Sequence, residues 1–192
     1  MVLANQTKRL RQLKLQEIMH ISSREQFPDL INRYNLRGIG AEIGVKEGKF
    51  SRILHKSCLS KIYLVDPWLH YECGTDTVSQ EEHDKRYEKV SKEFPHVFRM
   101  TSAEACQVFE DGSFDFIYLD AVHTYDYIKQ DLEIWFPKVR RGGILSGHDY
   151  INAKKFGGFD VKRAVDEFVK KHNLELNITT DEPRWKSWWF RV

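Results

Sequence analysis

The chain has 192 residues, of which 41% are hydrophobic and 30% are charged. This length suits a single domain whose core is large enough to fold without disulfide or zinc staples. The formal net charge of +2 gives no basic field of the kind that nucleic-acid-binding proteins carry, so we expect no nucleic-acid partner.

The predicted single domain begins with a helical extension over residues 1–37, ahead of a Rossmann-like core over residues 38–192. Apolar residues recur at helical spacing after Ser22 or Ser23, either of which can cap the helix. These apolar residues are Phe27, Leu30, Ile31 and Tyr34. Positive charge is concentrated in the same extension, at Lys8, Arg9, Arg11, Lys14 and Arg24. This charge run indicates a solvated helix face, and contact with an acidic partner or a membrane surface is the alternative.

The core alternates between apolar strands and helices. The strands are predicted at 39–45, 62–65, 97–100, 114–119 and 143–146, and the helices at 50–59, 81–94, 103–109, 125–136 and 161–172. Strands separated by such helices imply βαβ units and a parallel sheet. Two further strands, at 176–179 and 187–192, lie too close for a helical crossover and should pair as a hairpin. We therefore predict an α/β, Rossmann-like fold with a mostly parallel seven-stranded sheet, a C-terminal antiparallel hairpin and helices on both faces.

The turn after the first strand contains two glycines and two acids. Gly44 and Gly48 let the backbone turn close to a ligand, and ligands bind at the carboxyl ends of such strands. Glu42 and Glu47 flank the turn and favour a cationic ligand over a pyrophosphate. The spacing is neither GxGxxG nor a P-loop, which disfavours an NAD-dependent oxidoreductase. A turn that only packs a helix against a strand is the structural alternative.

Asp66 lies 24 residues after Glu42, at the predicted end of the second strand. An acid about 20 residues after a glycine turn is placed to accept both hydroxyls of a ribose, and capping a turn is its structural alternative. Trp68 is either a wall of the ligand pocket or ordinary core. After the third strand, Ser102 is a natural helix N-cap, or it contacts an adenine together with Ala103.

An acid and a histidine follow each of the next two strands. Asp120 and His123 come after strand 114–119, and His148 and Asp149 come after strand 143–146. Parallel neighbours lie about 4.8 Å apart, so their ends should bring these side chains together. The residue types suit a metal site, an acid–base site or both.

These motifs together resemble those of class I S-adenosylmethionine-dependent methyltransferases, and in particular the small group often called the methyltransferase-24 type. The resemblance covers residues 38–168 and is carried by the segments 41–44 with Gly48, 65–68, 111–120, His123 with Tyr125, and 142–150. It implies the class I fold and S-adenosyl-L-methionine as cofactor. The cofactor-binding residues that it implies are Glu42, Gly44, Val45, Gly48, Asp66, Trp68, Ser102, Ala103 and Asp120.

The resemblance also implies catalytic and metal-binding roles. Asp120 and His123 match the acid and the following histidine of related sugar O-methyltransferases, in which the acid binds a metal and the histidine is the base. Asp120, His148 and Asp149 match metal-ligand positions. His148 replaces an acid there, and Val122 replaces a residue that is commonly polar. The expected second cofactor is a divalent metal, either Mg²⁺ or Mn²⁺. An imidazole ligand shifts the preference of the site away from magnesium.

The expected activity is O-methylation of a small hydroxylated molecule, a sugar or a natural-product intermediate. The protein must align the nucleophile, and a hydroxyl also needs a base or a metal to remove its proton. An amine needs less help, so N-methylation of a small molecule is one alternative. A protein that binds the cofactor without catalysis is the other.

The cysteines and the apolar runs predict the compartment. Cys58, Cys73 and Cys106 are odd in number and lack CxxC spacing, which argues against a disulfide framework or a zinc ribbon. The sequence has no run that could span a membrane and no signal-peptide pattern at its start. We expect a cytoplasmic protein without a membrane span. Whether it forms a homo-oligomer is left open by the sequence.

Overall fold

A seven-stranded sheet forms the centre of the protein, seen in a computed structural model that describes residues 20–70, 78–153 and 158–192. Its strands are β1 (Ile39–Ile43), β2 (Lys61–Val65), β3 (Val97–Phe98), β4 (Phe114–Leu119), β5 (Val139–Gly147), β8 (Asn177–Ile178) and β9 (Trp188–Arg191). The order across the sheet is β3-β2-β1-β4-β5-β9-β8, and only the pairs formed by β9 are antiparallel. The predicted mostly parallel sheet with a C-terminal hairpin is confirmed.

Helices cover both faces of this sheet, as predicted. The described α-helices are α1 (Phe27–Arg33), α2 (Lys49–Leu54), α3 (Gln80–Glu93), α4 (Ser102–Cys106), α5 (Tyr125–Trp135) and α6 (Val161–His172). One buried apolar cluster contains residues of α1, α2 and α3, and a second contains residues of α4, α5 and α6. Strand β4 is buried along its whole length and contributes to both clusters. The described helices cross no membrane, because none is both long and apolar enough.

The extension before β1 is part of the same core over its described residues. Phe27, Leu30 and Ile31 are fully buried against β4 and α2. Neither Ser22 nor Ser23 caps α1, because a short 3-10 helix (Arg24–Gln26) precedes it and Gln26 stands at its N-cap. The rest of the extension, including Lys8, Arg9, Arg11 and Lys14, lies outside the described residues.

Two further differences have local physical causes. Strand β5 begins at Val139, ahead of the predicted start at residue 143, and runs through Gly142 and Gly143. Gly142 has φ +79°, and the pairing with β4 shifts register there, so the glycines make a bulge within the strand. A small hairpin, β6 (Asn152–Ala153) and β7 (Phe159–Asp160), was not predicted, because strands of two residues carry no readable period.

The ends of the strands meet along one edge because backbone hydrogen bonds join each to its neighbour. Gly44 N–H donates to Val65 O at 2.8 Å, Asp120 N–H donates to Ile43 O at 2.7 Å, and His148 N–H donates to Leu119 O at 3.1 Å. The chain continues from β1 to β2 on one side and later returns as β4 on the other side. Open α/β sheets bind ligands in a crevice at the point where the strand order reverses in this way.

Candidate functional site

The turn after β1 is held against the end of β4 by a glycine. Gly44 has φ +90°, and a Cβ at this position would lie 2.2 Å from the carbonyl oxygen of Asp120. Gly48 also has a positive φ, +72°, and precedes α2. The glycines are therefore required by backbone conformation and by close packing, and their approach to a ligand stays a prediction.

Asp66 caps this turn with its carboxylate. Its Oδ2 atom accepts hydrogen bonds from the backbone N–H groups of Val45 and Lys46, both at 2.9 Å. Its Oδ1 atom accepts from the N–H of Trp68 at 2.7 Å. A carboxylate has about four acceptor positions, so about one stays available for a ligand. The sequence predicted that Asp66 would accept two ribose hydroxyls, and this geometry leaves room for one.

Trp68 lies in the core next to the turn. It is 1% exposed, packs against Tyr87, and donates from Nε1 to the carbonyl oxygen of Lys46 at 2.9 Å. This placement favours the core alternative over the pocket wall.

Glu42 and Glu47, the acids that flank the turn, differ in environment. Glu42 is buried and accepts a hydrogen bond from Ser51 Oγ at 2.5 Å. Burial, reinforced by the charge of Asp120, raises the pKa of Glu42 to about 8. Glu47 is paired with Lys49 at 2.9 Å and with Arg86 at 3.5 Å. The two acids therefore do not form the doubly negative turn that the sequence suggested.

Ser102 is turned inward at the start of α4. The N-cap of this helix is Thr101, not Ser102, and Thr101 forms a capping box with Glu104. Ser102 Oγ donates to Asp131 and accepts from Trp135 Nε1 at 2.8 Å, so its hydroxyl is used within the protein. Burial raises the pKa of Asp131 to about 6. Ala103, the other residue expected at the adenine, is exposed.

The acid–histidine pairs after β4 and β5 meet as predicted. His123 Nε2 lies 2.9 Å from Asp149 Oδ2 and 3.2 Å from Asp120 Oδ1. His148 Nδ1 lies 3.0 Å from Asp149 Oδ1 and 3.9 Å from Asp120 Oδ1. Asp149 adopts φ +54°, a conformation that turns the chain directly after β5.

The charged groups in this cluster stabilise one another's ionised forms. Burial alone would lower the pKa of His123, but the carboxylates of Asp120 and Asp149 raise it to about 9. Burial would raise the pKa of Asp149, but hydrogen bonds with His123 and His148 hold it well below its ordinary value. At neutral pH His123 is therefore an imidazolium between two carboxylates.

The small hairpin fixes the orientation of the His123 ring. Phe159 of β7 stacks on the imidazole with 4.8 Å between ring centroids and 8° between planes, and Trp185 packs against Phe159. Asp160 N–H donates to the carbonyl oxygen of His123 at 3.0 Å. No motif or periodicity in the sequence predicts these contacts.

A metal ion could be held by three donors in this cluster. Ligand atoms of Asp120, His123 and Asp149 all lie within 4.8 Å of one another. The imidazole in this group is that of His123, whereas the sequence predicts His148 as the imidazole ligand.

Arg24 lies beside the acid–histidine cluster, where its charge run did not predict it. Its guanidinium lies 4.7 Å above the ring of Phe50, with Nη2 3.7 Å from Asp120 Oδ2. The side chain is 23% exposed and borders the cluster, so Arg24 is not part of a solvated helix face. No motif signals this contact, because Arg24 reaches Asp120 only through the packing of the extension on the sheet.

Comparison with known proteins gives a family and a fold. A family model described as a methyltransferase domain matches residues 41–150. The chain is similar to the O-methyltransferase from Bacillus cereus in complex with SAH, with 13% identity, coverage of 96% of this chain and 90% of that chain, and a TM-score of 0.60. It is also similar to the O-methyltransferase TomG from Streptomyces achromogenes, which is involved in tomaymycin synthesis and was solved with SAM, with 10% identity, coverage of 88% and 79%, and a TM-score of 0.58. No curated protein matches the sequence.

The residues at the strand ends fit S-adenosylmethionine, the cofactor predicted from the sequence. Asp66 retains acceptor capacity for a ribose hydroxyl beside the glycine turn. Arg24 and Asp120 place a guanidinium and a carboxylate 3.7 Å apart at the same edge of the sheet. This donor set suits a zwitterionic nucleoside better than a pyrophosphate.

Proposed function

The chain belongs to the methyltransferase-domain family as an S-adenosylmethionine-dependent enzyme, and on this premise we propose that it methylates a hydroxyl oxygen of a small molecule. One observation carries the proposal: His123 Nε2 lies within 3.2 Å of carboxylates at the ends of two neighbouring strands. An amine acceptor needs less help of this kind, whereas a hydroxyl must lose its proton as it is methylated.

His123 is the proposed base. When bound, S-adenosylmethionine supplies an activated methyl group, and the protein has to align the acceptor oxygen and remove its proton. His123 Nε2 lies 3.2 Å from Asp120, the longer of its two carboxylate contacts. The acceptor hydroxyl would replace Asp120 as the partner of Nε2. The stacked ring of Phe159 would keep the neutral imidazole oriented. Once Nε2 has accepted the proton, the carboxylate of Asp149, at 2.9 Å, would stabilise the imidazolium.

The protonation of His123 makes this proposal testable by pH. Only neutral imidazole accepts a proton, and Asp120 and Asp149 raise the pKa of His123 to about 9. Activity should therefore increase as the pH rises from 7 towards 9. The measurement is kcat/KM against pH, which reports the ionisation of the free enzyme. A flat profile would contradict His123 as the base.

The direct experiment is substitution of His123. We expect His123→Gln to lower kcat by about 10²–10⁴-fold, the usual contribution of one general base. Binding of S-adenosylhomocysteine, measured by calorimetry, should be unchanged. The matched control is His55→Gln, because His55 is exposed at the end of α2. The acceptors would be a panel of catechols, sugars and amines. Methylation of amines alone would refute O-methylation.

A second candidate mechanism uses the same residues to hold a divalent cation, and the convergence of Asp120, His123 and Asp149 within 4.8 Å favours it. Such an ion would polarise the acceptor hydroxyl. Two carboxylates and one imidazole suit manganese, iron or zinc better than magnesium.

Chelation separates these mechanisms. Full turnover in excess EDTA would leave His123 as the base without a metal. Loss of turnover that Mn²⁺ restores better than Mg²⁺ would support the metal-assisted form.

A further inference from the structure

Arg24 presents a charged group whose hydrogen-bonding capacity is not used by the described residues. A guanidinium has five N–H donors. Among the described residues, the nearest carboxylate oxygen to the guanidinium of Arg24 is Oδ2 of Asp120 at 3.7 Å, which is too long for a hydrogen bond. No other side-chain hydrogen bond or ion pair of Arg24 occurs among residues 20–70, 78–153 and 158–192.

The position of this guanidinium is fixed from two sides. The rings of Phe50 and Tyr118, both fully buried, lie 4.7 Å and 5.8 Å from its central carbon. The backbone N–H of Arg24 donates to Glu182 Oε1 at 3.1 Å. A charged group that is oriented in this way, and left without acceptors, is preorganised for a ligand.

The charges around Arg24 select the kind of ligand. Asp120 stands beside it, so a simple anion bound to Arg24 would be repelled by this carboxylate. An α-amino acid carries an ammonium and a carboxylate that covalent geometry holds about 3 Å apart. That separation matches the 3.7 Å between Arg24 Nη2 and Asp120 Oδ2, and both side chains are partly exposed, at 23% and 18%.

We propose that Arg24 binds the α-carboxylate of S-adenosylmethionine, while Asp120 receives its α-ammonium group. Arg24 then belongs to the cofactor site although it lies outside every motif that identified that site. The glycine turn supports this location, because Gly44 is packed against the backbone of Asp120. The proposal does not depend on which acceptor is methylated.

The test compares two ligands by calorimetry: S-adenosylhomocysteine, and the decarboxylated analogue that lacks only the carboxylate. We expect Arg24→Gln to weaken binding of S-adenosylhomocysteine about 10- to 100-fold, the range for a charged hydrogen bond. Affinity for the decarboxylated analogue should stay the same. Arg24→Lys should lie between, because lysine keeps the charge and loses the bidentate fork.

Controls separate this role from a structural one. Arg37→Gln is the matched variant, since Arg37 is exposed and donates to Asn35 Oδ1 at 2.6 Å. An equal loss for both ligands in Arg24→Gln would indicate a structural role and overturn the proposal. Unchanged affinity for S-adenosylhomocysteine would overturn it as well. Neither result would bear on His123, so failure here is distinct from failure of the proposed O-methylation.

Discussion

The strand ends meet along one edge of the sheet, and the β1–β2 half of this edge is stabilised differently from the β4–β5 half. At the ends of β1 and β2, the backbone N–H groups of the turn are satisfied by one carboxylate, that of Asp66. At the ends of β4 and β5, charged side chains face one another, with His123 between Asp120 and Asp149. The first half depends on backbone conformation, and the second depends on the balance of charges.

This difference explains what each half can do. A turn whose polar groups are satisfied internally is rigid and can shape a pocket for a constant ligand, the cofactor. A cluster of opposed charges changes protonation readily, because each group sets the pKa of its neighbour. In the proposed mechanism, proton transfer is assigned to the β4–β5 half and recognition of the nucleoside to the β1–β2 half.

Gly44 joins the two halves, so its substitution should have the largest effect. In Gly44→Ala the new Cβ would meet the backbone of Asp120 at 2.2 Å, at a φ of +90°. Neither backbone can yield without separating β1 from β4, and we expect a loss of about 5 kcal/mol or more, a large part of a domain's stability. Urea denaturation followed by circular dichroism measures this loss.

Gly112 provides the matched control for that substitution. It has a similar φ of +70°, but no atom lies within 4 Å of a Cβ placed there. Gly112→Ala should therefore cost only about 1–2 kcal/mol, the price of the backbone conformation. Equal losses at the two positions would mean that the close contact between the halves does not matter.

Glu42 lies beneath both halves and predicts a pH effect on stability. Its pKa is raised from 4.5 to about 8 in the folded protein, so the folded state holds a proton that the unfolded chain releases. Stability from this proton is complete below pH 4.5 and is lost as the pH rises to 8. Glu42→Gln should remove that decline, a difference of about 4–5 kcal/mol at pH 8 relative to pH 4.5. Parallel stability–pH curves for the wild type and the variant would contradict the assigned burial.

Asp66 tests whether the first half acts through its backbone. Asp66→Ala leaves the N–H groups of Val45, Lys46 and Trp68 without their acceptor. We expect about 2–3 kcal/mol less stability and at least tenfold weaker S-adenosylhomocysteine binding. In Arg24→Gln, by contrast, binding should weaken with little loss of stability. A stable Asp66→Ala protein would show that the turn holds itself without this carboxylate.

Ser102 should give the smallest effect, and one on stability alone. Its hydroxyl connects Asp131 to Trp135 Nε1, both of which are buried. Ser102→Ala should cost about 1–2 kcal/mol because these partners lose a hydrogen bond. Affinity for S-adenosylhomocysteine should change by less than threefold, as measured by calorimetry. A larger loss of affinity would restore Ser102 to the adenine site.

The sheet could be predicted because its strands are continuous apolar runs bounded by glycine or charged residues. Strand β4 and helix α6 occupy the predicted positions, 114–119 and 161–172. Helix α2 ends at Leu54 instead of residue 59, because the chain leaves the helix in a turn that bonds Ser57 N–H to Leu54 O. The ends of helices and strands depend on such local hydrogen bonds, which cannot be predicted from the spacing of apolar residues.

The side-chain directions at the site were less predictable than its position. Parallel register brought His123 and His148 to the same edge, as expected. Which imidazole stands between the two carboxylates depends on the positive φ of Asp149 and on Phe159, neither of which has a sequence signature. Arg24 could not be placed at all, because its neighbour Asp120 is distant in the chain and belongs to another element.

The link between Arg24 and Glu182 also has a consequence for how the protein folds and opens. The two residues are 158 positions apart, and a neighbouring bond joins Asp181 N–H to Ser22 O. Contacts that close such long loops bear a large chain-entropy cost, so they form after the local βαβ units. They should also be among the first to break, and the amide hydrogen of Asp181 should exchange with solvent through a small opening. The cofactor would then meet a nearly complete pocket whose last wall is assembled from distant parts of the chain.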